Sequence, residues 1–83
     1  MDTRVLTSTS ELLKLAAKRI KLPNREPLFV NYDTEADCLF IKLSKEKAVI
    51  SESQSLDVTY DLDKNGNIVG IEILDLYGIY DAD

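Results

Sequence analysis

The chain has 83 residues, 45% of them hydrophobic and 30% charged, with a formal net charge of −5, one cysteine and no histidine. This is the composition of one small soluble domain; it excludes an internal disulfide and removes the usual ligands of zinc and haem, so no cofactor is expected. A core this small supplies roughly 3–5 kcal/mol, so further support is expected from another chain, as a homo-oligomer (a dimer) or with a small protein partner.

No stretch approaches the roughly 18 apolar residues of a membrane span. Residues 1–6 lack the apolar run of a signal peptide, so no membrane partner is expected and the cytoplasm is the default location. Residues 1–27 hold six Lys/Arg against three Asp/Glu and residues 28–83 hold four against twelve, which divides the net charge into +3 and −8. An acidic body repels nucleic acid at long range, so nucleic acid is not expected as a partner, although a basic arm retains local access to phosphate.

Ser8 followed by Glu11 fits a capping box and predicts a helix start. From residue 11 to residue 21, Leu12, Leu13, Ala16, Ala17 and Ile20 form one apolar stripe, with Lys14, Lys18 and Lys21 opposite. Pro23 and Pro27, with Asn24 between them, end the helix and form a linker over residues 22–27. The period then changes from 3.6 to 2.

Four strands follow, over residues 28–33, 38–44, 56–62 and 67–74, alternating Leu28, Val30 and Tyr32; Leu39, Ile41 and Leu43; Leu56, Val58, Tyr60 and Leu62; and Val69, Ile71 and Ile73. Short connections at residues 34–37 and 63–66 predict antiparallel hairpins, with Gly66 free to take positive φ. Ala48, Val49 and Ile50 offer a fifth, short strand. The expected core is Leu39, Ile41, Leu43, Val58, Tyr60, Val69, Ile71 and Ile73. The opposite face mixes Phe40, Ile68 and Leu74 with Lys42, Asp57, Thr59, Asp61 and Glu72, and residues 75–83 are read as a helical turn carrying Leu76, Tyr77, Ile79 and Tyr80. The whole is an α+β fold, an N-terminal amphipathic helix packed on a small four- to five-stranded antiparallel sheet. Residues 1–27 form the basic helix and linker and residues 28–83 the sheet, in one globular unit.

Two blocks carry a resemblance. Tyr32-Asp33-Thr34-Glu35-Ala36-Asp37-Cys38-Leu39-Phe40-Ile41-Lys42-Leu43 and Asp61-Leu62-Asp63-Lys64-Asn65-Gly66-Asn67-Ile68-Val69-Gly70-Ile71-Glu72-Ile73-Leu74 resemble a widespread family of small prokaryotic proteins known as domain of unknown function 2283, over about residues 29–75. The resemblance implies a compact sheet domain and carries no catalytic residue. The resemblance also implies small toxin-like genes as neighbours and, with them, an antitoxin-like partner role.

Asp61, Asp63, Asn65, Gly66 and Glu72 satisfy the EF-hand spacing. Strands on both sides place Glu72 roughly 20 Å from the turn along the chain, so the expected reading is a hairpin turn, with weak divalent-metal binding by Asp61, Asp63 and Asn65 as the alternative. Asp33, Glu35 and Asp37 read as hairpin-loop carboxylates that charge an exposed end. Cys38 lacks a histidine base and lies among acids that suppress thiolate. Lys14, Lys18 and Lys21, with Arg19 and Arg25 nearby, read as a solvated face, with nucleic-acid contact as the alternative. With neither a phosphate loop nor a triad, no enzyme activity is expected. The leading reading is a non-catalytic interaction or oligomerisation module whose interacting residues are Phe40, Ile68, Leu74, Tyr77 and Tyr80.

Overall fold

The computed structural model describes residues 8–78. Ser8 caps the helix as its spacing predicts, its hydroxyl accepting the Glu11 amide at 3.2 Å. Helix α1 spans Thr9–Ala17 and buries Leu12 and Ala16; Ala17, which the spacing places in the apolar stripe, is exposed. The helix ends four residues earlier than expected. Both Ile20 and Leu22 pack against the core, and residues two apart lie on opposite sides of a helix, so a helix continuing to residue 21 would lift one of them away. No helix is long and apolar enough to cross a membrane among the described residues.

The strands are β1 (Phe29–Asp33), β2 (Cys38–Lys42), β3 (Ile50–Ser53), β4 (Val58–Leu62) and β5 (Ile68–Ile73). They form one five-stranded sheet in the order β1-β2-β5-β4-β3, antiparallel at every pairing. Strand β3 begins where the expected Ala48–Val49–Ile50 segment ends and continues through Ser51, Glu52 and Ser53, all exposed. An edge strand that buries neither face needs no apolar alternation, which is why its extent was hidden. Leu56, expected at the start of the third long strand, lies in the turn before β4 and is 98% exposed.

Residues opposite one another in a ladder share a face, and the register places two apolar rows side by side. One runs Tyr32, Leu39, Ile73, Val58; the other runs Val30, Ile41, Ile71, Tyr60. Leu39, Ile41, Leu43, Val58, Ile71 and Ile73 are buried in one cluster with Leu12 and Ala16, so α1 and the sheet share a core. Val69 is also buried, and Tyr60 packs at the core's margin. Burying each such aliphatic side chain contributes about 1.5–3 kcal/mol.

A further expectation fails on this sheet. The register shifts between Asp61 and Leu62, pairing Asp61 with Gly70 but Leu62 with Ile68, so β5 carries one extra residue. Strict alternation assigns Ile68 to the face of Phe40; the bulge reverses it, and Ile68 packs against the core. A one-residue insertion moves every following side chain to the other face.

Candidate interaction site

The face away from α1 carries its own rows, Asn31, Phe40, Glu72, Thr59, Ser53 and Phe29, Lys42, Gly70, Asp61, Ser51. The Phe40 ring leans on Phe29, centroids 6.2 Å apart, and across Gly70, where an added Cβ would stand 3.3 Å from both Phe40 Cζ and Asp61 Oδ2. Glycine at this position lets the phenyl ring lie down, and Phe40 is half-buried as a result. Of the other residues expected to interact, Leu74 is 43% exposed just past β5, Ile68 lies on the core side, and Tyr77 is half-buried with its ring edge-on to Tyr32 at 5.5 Å. The structure therefore does not gather these residues into one patch. Tyr80 and Ile79 lie outside the described residues.

The EF-hand spacing folds as a turn. Asp63 Oδ1 accepts the amides of Asn65 and Asn67, each at 2.9 Å, and Gly66 takes φ 84°. These bonds, with that from Asn67 the strongest influence, hold the Asp63 carboxyl below its ordinary pKa. Asp61 accepts from Ser51 Oγ at 2.9 Å on the open face, Asn65 is exposed, and Glu72 sits mid-strand opposite Phe40 and Thr59. Among the described residues no three Cys, Asp or Glu side chains gather as a cation site.

Cys38 donates its thiol towards Glu72 Oε2 at 3.6 Å. Burial, then the Glu72 charge, then Asp33 and Asp37, push its pKa up to about 11. A thiol so poised is protonated at neutral pH and is a poor nucleophile.

Asp37 does not charge an exposed loop end as expected: it is fully buried. Its carboxylate accepts the Tyr32 hydroxyl at 2.6 Å, the Tyr77 amide at 3.0 and 3.1 Å and the Gly78 amide at 3.1 Å. Its carbonyl accepts the Leu76 amide at 3.0 Å. Its backbone sits at φ 54°, a left-handed conformation that Asp tolerates better than most residues. The bonds fasten residues 74–78, a strap in which Leu76 is buried and which is bent, not helical, with positive φ at Asp75 and Gly78.

From the other side, Arg19 donates to three successive carbonyls of the strap, those of Leu74 at 3.5 Å, Asp75, and Leu76 at 3.2 Å. Arg25 likewise donates to the Ile68 carbonyl. The two arginines of the expected basic face are thus engaged with backbone, while Lys14, Lys18 and Lys21 remain exposed. Sequence reading missed Asp37 and Arg19 as fasteners because their partners in the strap lie about 40 and 55 or more residues away. The only local hint was an Asp able to take positive φ just before a strand.

No curated protein and no solved structure matches the chain. The match to a family runs over residues 30–76, from the second residue of β1 to the buried leucine of the strap, and leaves α1 outside. On that span, more than half of its length, the chain belongs to the family described as "Protein of unknown function (DUF2283)".

Proposed function

We propose that this chain is a non-catalytic, cytoplasmic interaction module of prokaryotic type that works as a homodimer, with a second copy pairing along strand β3. The observation that carries this reading is the exposure of the whole of β3, with Ile50 58% and the adjacent Val49 54% exposed. An edge strand presents unpaired amides and carbonyls to any chain that can complete the ladder. Natural edges are guarded by shortness, charged side chains, proline or a bulge; β3, four residues long, carries one charge, Glu52, but no Lys or Pro, and the β3–β4 register is unbroken. A two-fold pairing would let one edge serve both copies and cover β-branched side chains that water now meets. The antitoxin-like role implied by the family resemblance is a form of the same reading, in which a small toxin-like protein takes the place of the second copy.

Light scattering at high micromolar concentration tests the proposal. The expected mass is twice the 9.4 kDa of one chain, falling to a single chain in Ile50→Lys, which places a charge in the paired edge. A single-chain mass for the parent, or a dimer that survives Ile50→Lys, refutes pairing through β3.

A further inference from the structure

Two pieces from opposite ends of the described chain cover the core face of the sheet, and neither is self-sufficient. Helix α1 has nine residues, fewer than the roughly 12–15 at which isolated helices become even marginal in water, so it depends on the contacts of Leu12 and Ala16. The strap is bonded through its backbone to other parts of the chain. The Leu74 amide goes to the Asp57 carbonyl, the Leu76 amide to the Asp37 carbonyl, and the Tyr77 and Gly78 amides to the Asp37 carboxylate. Its carbonyls at residues 74–76 meet the Arg19 guanidinium. Arg19 stands two residues past the end of α1, and Leu76 is buried in the same cluster as Leu12 and Ala16.

We infer that α1 and the strap form a single lid, coupled at Arg19 and Leu76, that opens and closes as one unit over the sheet. The ladders joining β2 to β5 and β4 to β5 involve neither piece. The sheet therefore stays paired when the lid lifts, and the rows of Leu39, Ile73, Ile41 and Ile71 become a second, apolar surface distinct from the open polar face. Lifting only one piece would turn half of a shared buried cluster to water, so joint opening is favoured over separate opening, with the largely exposed Arg19 bonds adding a smaller tie. This inference stands apart from pairing through β3, which uses the free edge of the sheet and not its core face.

Amide-resolved hydrogen exchange on the full chain tests it, because sub-global openings have their own free energies below that of global unfolding. In the parent, the amides of Leu12 and Ala16 in α1 and of Leu76, Tyr77 and Gly78 in the strap should share one opening constant, well above that of Ile41 and Ile71. Lys14→Gly, on the exposed side of α1, should raise helix opening about fivefold, the effect of a mid-helix glycine, and strap opening by the same factor. Asp37→Asn touches the strap and not the helix; it should raise opening of both by about tenfold, the scale of a weakened bond to a charged group. Strap exchange unmoved by Lys14→Gly overturns the inference, and so does helix exchange unmoved by Asp37→Asn. Should the Asp37 variant fail to fold, the Lys14 variant and the parent's opening constants decide alone.

Discussion

Truncating Asp37 should be among the most damaging single changes available to this chain. Its carboxylate is the acceptor for the Tyr32 hydroxyl and for the amides of Tyr77 and Gly78, all in part-buried surroundings. Each buried donor left without a partner costs about 1–3 kcal/mol, and partial exposure favours the lower end, so Asp37→Gly should lose about 3 kcal/mol. Glycine accepts the φ of 54° without strain, whereas alanine meets its own carbonyl there, so Asp37→Ala should lose a further 1 kcal/mol or so. Against a total of about 4–12 kcal/mol for a domain of this length, either loss is large. Urea denaturation followed by circular dichroism reads both: with a slope near 1 kcal/mol per molar, the midpoint should fall by about 3 M for glycine and more for alanine. A glycine variant within about 0.5 kcal/mol of the parent, the range of an ordinary surface change, would refute the fastening role of the carboxylate, and an alanine variant equal to glycine would refute the backbone argument.

Two further outcomes concern the titrating groups. The Asp63 carboxyl is held below its ordinary value of 3.8 by the folded turn, so its ionised form stabilises the fold above that pH and the contribution disappears as pH falls through the depressed folded value. Thermal melts between about pH 5 and pH 2 should therefore show a shallower acid loss in Asp63→Asn than in the parent, and equal slopes would contradict the turn assignment. Cys38, with its pKa near 11, should alkylate far more slowly at neutral pH than the same thiol in the unfolded chain. Glu72→Gln should speed the reaction by removing a neighbouring charge, as mass spectrometry of iodoacetamide-treated protein would show; an unchanged or slower rate would deny the influence of Glu72.

Much of the sheet is legible in the sequence because its signals are local. Ser8 and Glu11 mark the helix start, Asp63 to Gly66 mark a turn, and alternation through Leu39, Ile41, Ile71 and Ile73 marks the core face; each concerns residues a few positions apart. The features that escaped are those that depend on distance or on exposure. Ile68 changes face because of one extra residue in β5, and alternation contains no sign of a bulge. Strand β3 is exposed throughout and so leaves no apolar periodicity. Asp37 and Arg19 look like ordinary loop and surface charges until the fold brings the strap between them. The EF-hand spacing failed in the opposite direction: five residues satisfied a pattern whose geometry needs helices on both flanks, and the strands here turned Asp63 inward to its own amides.

The strand order also dictates where time is spent in folding. Strands β1 and β2, and the run β3, β4 and β5, join through short turns, so each set can zip from its own connections within microseconds. The two sets meet only at the β2–β5 seam, where Ile41 faces Ile71 and Leu39 faces Ile73. Bringing those strands together closes a loop of roughly thirty residues, an entropic cost of about 3 kcal/mol on chain statistics that falls due before the central apolar contacts repay it. The slow event is therefore at the middle of the sheet, between residues far apart in the chain, and the turns that make the hairpins so easy to read have little hold over it.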